Sequence, residues 1–230
     1  MKATEGERPE SRSTRTKLSR ALVLTTGVSL ADRDGLENLT IRSLATELGA
    51  KPMSLYRHVD SKEALLDGMV DQVIMEMEPA GAELEWREAI RRRCESARAA
   101  LVRHPWAIPL MESRSNPGPE LLRHHEATLA ALTRGGLPLP MIAHAYALLD
   151  SFVYGFAMQE AYLSAESGED HEHAEEVAEG LEAMLDPQEF PNLLRFASEH
   201  AMQPGYSFGA SFDVGIDLIL DGIERLAKVG

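Results

Sequence analysis

Lys51, Ser54, Tyr56, Arg57 and His58 crowd into eight residues. Cationic side chains there can neutralise phosphate, and hydroxyls can bond to its oxygens. A tyrosine ring can lie on a sugar or a thymine methyl while its hydroxyl donates to phosphate. The chemistry on offer is contact with a nucleic-acid backbone and base edges. Other reactive groups are scattered. Cys94 follows Arg91, Arg92 and Arg93, which would depress a thiol pKa, although a lone helix cysteine equally serves packing. His124 and His125 are adjacent, so on a helix they point about 100° apart and cannot share a metal. His171 and His173 flank Glu172 in an acidic stretch that reads as solvated. No Gly-rich phosphate loop, nucleophile elbow or zinc-protease motif occurs. No catalytic residue, metal or cofactor is assigned.

The elements that would hold these groups are helices. Leu18, Ala21, Leu22, Leu24, Val28 and Ala31 form one apolar stripe that stops at Asp34-Gly35. Leu39, Ile41, Leu44, Ala45 and Leu48 form a second, stopped by Gly49. Leu55, Tyr56 and Val59 mark a third, very short element. Leu65, Leu66, Met69, Val70, Val73, Ile74 and Met77 mark a fourth, ended by Pro79. Thr40 suits an N-cap, with Leu39 and Leu44 at the staple positions, and Pro52 suits a first helical turn. Asp60 with Glu63 reads as a capping-box-like start for the fourth helix. Two short helices joined through a glycine turn match a helix-turn-helix. Spacing alone fits equally a helical hairpin whose charges are merely solvated. Further helices are expected at about 84–103, 117–134, 138–164, 187–202 and 206–228. The stretch 164–176 reads as a loop or frayed end, and the fold class is all-α.

Charge is divided along the chain. The 230 residues carry a net charge of −14. Residues 1–63 hold 11 basic and 9 acidic side chains, and the remainder holds 12 and 28. A mildly basic head on an acidic body excludes a wholesale polyanion binder but not a local basic face. One cysteine excludes an internal disulfide framework and points to a reducing compartment. The polar first twenty residues lack a signal core, and apolar runs are interrupted by polar groups. A cytoplasmic protein without a membrane partner is expected.

The run LTIRSLATELGAKPMSLYRHVDSKEALLDGMV closely resembles the DNA-binding segment of the tetracycline-repressor (TetR) family. Leu39-Thr40, Arg42, Leu44-Ala45, Leu48-Gly49, Leu55-Tyr56, His58-Val59, Lys62 and Leu65-Leu66 carry the likeness, which covers about residues 17–75 in detail. Residues 1–16 lack apolar periodicity and read as a disordered, basic-tinged arm. The resemblance implies a three-helix DNA-binding domain with its connecting helix over 17–78, and a larger helical ligand-binding and dimerisation domain over 79–230. It implies a recognition helix at about 51–58. Arg42, Lys51, Pro52, Met53 and Tyr56 match positions at bases or the groove floor. Thr40, Ser54, Tyr56, His58 and Lys62 match positions at phosphates. Arg57 stands where the family often has an aromatic residue.

The function implied is that of a transcriptional regulator, a repressor released from a palindromic double-stranded operator by a small-molecule effector. Alternatives are a helical protein–protein interaction module or an enzyme without a DNA role. The two late helices would pair across the two-fold axis of a homodimer. Gly215 and Gly222 would allow close helix approach there, with Asp213, Asp217 and Asp221 on a solvated face. Effector-pocket candidates are Trp86, His104, Trp106, Met111, Arg114, His125, Leu129, Phe152 and Phe156, with Arg114 the polar anchor. Leu110-Met111-Glu112 stands where the tetracycline repressor has a metal-liganding histidine, so no metal ligand is carried over.

Overall fold

Ser19 opens α1 (Arg20–Asp34) by accepting the Leu22 N–H at 3.2 Å. This is seen in a computed structural model that describes residues 17–113, 118–167, 185–203 and 205–228. The expected arm over 1–16 lies outside the described residues. Val23, Leu24, Val28, Leu30 and Ala31 form the buried face of α1. Ala21 is exposed, because the face is turned toward α4 and α2 together. Thr40 caps α2 (Ile41–Glu47) by accepting the Ser43 N–H at 3.0 Å, and the Ser43 hydroxyl accepts the Thr40 N–H at 2.9 Å. Two donors that a helix start leaves orphaned are thereby satisfied. Gly49 then takes φ +58°, a left-handed conformation that side chains resist.

Pro52 occupies the first position of α3 (Pro52–Leu55), a single turn. The His58 and Val59 N–H groups both return to the Leu55 carbonyl, so the expected helix over 51–58 is one turn followed by a tight bend. Ser61, not Asp60, caps α4 (Lys62–Met75), accepting the Ala64 N–H at 3.1 Å. The correction is one of register. An N-cap must be extended and lie three residues before its donor, and Ser61 meets both conditions.

The body begins with α5 (Trp86–Arg103). There follow α6 (Ala107–Ser113), α7 (Pro119–Arg134), α8 (Leu139–Ser167), α9 (Pro191–Phe196) and α10 (Ser211–Ala227). A π-turn over Ala197–Ala201 extends α9, and a 3₁₀ turn over Phe208–Ala210 precedes α10. Helix α6 is not among the expected helices, and it contains Pro109. That proline sits in the first turn, where no backbone donor is needed. The helical pattern near 187–202 is realised only from Pro191. Helix α8 continues past the expected loop start to Ser167, and the rest of that stretch lies outside the described residues. Helix α5 packs against α7, α8 and α10. Ala89, Ile90, Cys94, Ala97, Leu101, Ala145, Leu149, Val153, Phe212 and Ile216 fill the space between them. No strand occurs among the described residues.

Leu139–Leu163 is long and apolar enough to cross a membrane by length and composition alone. As expected, charged residues interrupt it, at Asp150 and Glu160. Its inward residues Ile142, Ala145, Leu149, Val153 and Ala157 pack in the helical core.

Candidate nucleic-acid interface and the body that carries it

The buried side of the α2–α3 unit is Leu44, Ala45, Leu55 and Val59. Its outer side carries Thr40, Arg42, Lys51, Pro52, Met53, Tyr56 and Arg57, with Ser54 and His58 half-buried between them. Met53 is 74% exposed although apolar. Its methyl end is free to meet an apolar group such as a thymine methyl. Lys17, Lys51 and Ser54 line one crevice between the start of α1 and the α2–α3 turn. Lys62 is exposed on the first turn of α4. All nine sequence-derived DNA candidates therefore belong to this one small unit and its edges.

The opposite end of the unit is tied to the body. His104 Nδ1 lies 2.7 Å from Asp32 Oδ1, and Trp106 Nε1 donates to the same oxygen at 2.7 Å. His104 Nε2 lies 3.2 Å from Glu76 Oε2, which also accepts from Arg103 at 2.7 Å. Burial pushes the Glu76 carboxyl up, but hydrogen bonds from Arg103 and His104 outweigh it and hold the group below its ordinary range. His104 and Trp106, expected in the effector pocket, join α5 and α6 to α1 and α4. The cause is the end of α5 at Arg103, which delivers the next residues to the reader.

Inside the body, Arg93 is 1% exposed. Its Nε donates to His124 Nε2 at 3.0 Å, and Nη2 donates to Asp150 Oδ1 at 2.6 Å. Burial and the nearby Arg93 charge lower the His124 pKa to about 4. Burial and then the Asp150 charge push the Tyr146 and Tyr154 hydroxyls up. Burial likewise raises the Cys94 thiol, so that residue packs and is not activated. The sequence reading missed Arg93, His124, Asp150, Tyr146 and Tyr154. A signal was present. Asp150 and Glu160 are the acids of the long apolar stretch 139–163, and they pair with Arg93 and Arg98 of α5.

The pocket candidates are not brought to one wall. The His125 ring stands edge-on to Tyr146 with centroids 5.5 Å apart. Phe152 and Phe156 stack with Phe212 and Phe208, respectively, and Arg98 lies over the Phe212 ring at 4.8 Å. Met111 is buried on α6, and Leu129 is 38% exposed on α7. Trp86 packs beneath Gly135 at the far end of α7. Arg114, His171 and His173 lie outside the described residues.

One surface is apolar without cover. His144, Ala147 and Leu148 of α8 form a groove of about 510 Å³ with Leu218, Ile219, Gly222 and Leu226 of α10. A Cβ at Gly215 would collide with Phe152, while one at Gly222 would meet nothing in this chain. The first glycine thus serves the α8–α10 contact, and the second faces outward. Asp217 and Asp221 are exposed, as expected of a solvated face, and they also pair with Arg87 and Arg91 of α5. They sit at an interhelical seam.

Residues 23–69 match the tetR family of bacterial regulatory proteins, and residues 78–227 match the tetracyclin repressor-like C-terminal domain. The chain is 33% identical to the HTH-type transcriptional repressor DrrR1 of Streptomyces coeruleorubidus, over 96% of this chain and 82% of that protein. It is 26% identical to the class A tetracycline repressor of Escherichia coli, over 91% and 92% of the two chains. Among solved structures, the Streptomyces coelicolor TetR family protein ActR, in complex with actinorhodin, aligns with a TM-score of 0.74 at 28% identity. That alignment covers 92% of this chain and 98% of ActR.

Proposed function

Because the chain belongs to the tetR family of bacterial regulators, we propose that it is a homodimeric repressor whose α3 enters the major groove of a palindromic operator. The observation that carries this reading is the division of α2–α3 into a buried apolar side and an outer side of Arg42, Lys51, Met53 and Tyr56. A one-turn recognition helix reads few bases. A two-fold dimer doubles the contact, with half-sites about one helical turn or a multiple apart. Lys51 and Arg42 donate to base edges, and Met53 covers a methyl. Thr40, Ser54, His58 and Lys62 hold phosphates. The apolar α8–α10 groove is the dimer surface, because patches of that kind rarely stay open on a monomer. The protein works in the cytoplasm, where operator DNA is.

The effector is a small molecule taken up by the body, as its relatives' names and ligand suggest. The His125–Tyr146 pair beside the Arg93–Asp150 network supports a ligand with aromatic surface and hydrogen-bonding oxygens. Such a ligand releases DNA only if it binds the DNA-incompetent arrangement of the dimer more tightly. The test is a gel shift with DNA from upstream of the protein's own gene against scrambled competitor. Sequence-specific retardation that Tyr56→Ala abolishes, with helicity unchanged, is the expected result. Equal affinity for scrambled DNA would reject the reading.

A further inference from the structure

Asp71 lies midway along α4, about 13 Å along the helix from Lys62 at its start. Its carboxylate reaches across to the first turn of α7. Gly118 precedes that turn and supplies no side-chain cap, and Pro119 has no N–H. The Glu120 and Leu121 N–H groups are therefore the first donors of α7, and the Asp71 carboxylate faces them. The carboxylate fills the space into which a side chain at 118 would project. Its Oδ1 is buried and has no hydrogen-bond partner among the described residues. Buried polar atoms left so are rare and call for a reason.

We propose that Asp71 is the positioning residue through which the first turn of α7 sets the tilt of α4, and so the spacing of the two recognition helices. The proposal rests on the DNA-binding reading above. Helix α7 carries His124 of the Arg93–Asp150 network and His125, so a change in the body's interior moves this turn. Asp71 passes the motion to α4, and α4 passes it to the reader through its packing on α1. With Oδ1 left unpaired, the carboxylate is not locked to α7 through both oxygens, so a small movement of that turn can carry it. Burial and then the Glu120 charge push the Asp71 carboxyl above its ordinary value, against the pull of the two N–H groups. A Cβ at 118 would overlap the Asp71 carboxylate, so a side chain there must push that carboxylate from its place against α7.

The test uses the full chain and a fluorescein-labelled operator duplex, read by anisotropy. Gly118→Ala wedges the contact from α7, and Asp71→Glu wedges it from α4. Each is expected to weaken operator binding about tenfold, or about 1.4 kcal/mol. The Gly118→Ala/Asp71→Ala double variant, with the wedge removed, is expected to recover to within about threefold. A spin label on Arg57→Cys in each protomer reads the spacing of the recognition helices, since Cys94 is buried and does not label. That distance should shift by a few ångströms in both single variants and return in the double variant. A purely structural role would move the melting temperature but not this distance. Wild-type affinity and distance in both single variants would overturn the proposal, as would a loss that persists in the double variant. If Gly118→Ala does not fold, Asp71→Glu decides. If wild-type protein binds no operator, the DNA-binding reading fails, and the label distance still decides the role of Asp71.

Discussion

Arg93 and His124 put the strongest test of the body's interior at single side chains. Truncating one partner of a buried ion pair leaves the other charge uncompensated. Arg93→Ala should therefore lower stability by about 3–5 kcal/mol in denaturant melts, since Asp150 loses its guanidinium. His124 titrates in the opposite sense to a salt-bridged histidine. Its folded pKa of about 4 lies below the ordinary histidine value of 6.5, so the unfolded chain takes up the proton first as pH falls. The stability this ring contributes is complete above about pH 6.5 and is lost between there and about pH 4. The loss should reach about 3 kcal/mol, and His124→Gln, which keeps an acceptor for Arg93, should flatten that part of the pH profile. Asp150 stood out as an acid in an apolar stretch, but the part of His124 was not legible in the sequence, because a histidine next to another histidine on a helix shows no partner. The partners come from helices 31 and 57 residues from the arginine, and only tertiary packing joins them.

At the scale of elements, the reader was far more legible than the body. Thr40, Gly49 and Pro52 act within a few residues of themselves, through caps and turns that local chemistry fixes. The same locality explains the slip at the start of α4, since Asp60 and Ser61 are both capping types and only backbone geometry separates them. Helix α6 stayed hidden behind its prolines. The bonds of His104 and Trp106 to Asp32 and Glu76 were not legible, because aromatic character does not say which side of a domain it faces. The division of labour within the reader can be measured. Lys62→Ala should weaken binding to all sequences alike and reduce the slope of affinity against salt by about one unit. Lys51→Ala should instead change preference among operator bases, by about 1–3 kcal/mol if its contact is bidentate. Binding curves on a panel of operator variants at several salt concentrations separate the two outcomes.

The whole molecule places an acidic body behind a basic reader. Screening limits exposed charges to about 8–10 Å at physiological salt, so the body's excess of acids need not oppose the DNA. Two-fold symmetry supplies what one short helix lacks, and the dimer surface must therefore matter as much as α3. Leu218 is 68% exposed and Leu148 is 54% exposed in the uncovered α8–α10 groove. Leu218→Asp should yield a folded monomer in sedimentation velocity, with operator affinity reduced at least about a hundredfold because one reader then works alone. The apolar pattern of α8 and α10 was readable in the sequence. The pairing of Asp217 and Asp221 with Arg87 and Arg91 was not, because the partners lie more than 120 residues away. The most direct measurement of the account is the stoichiometry of the purified protein on its own palindromic operator, titrated at concentrations well above Kd. Two chains per palindrome, with binding collapsed when either half-site is scrambled, is the predicted result. One chain per palindrome, or unchanged binding after one half-site is scrambled, would contradict a dimer that reads DNA through α3.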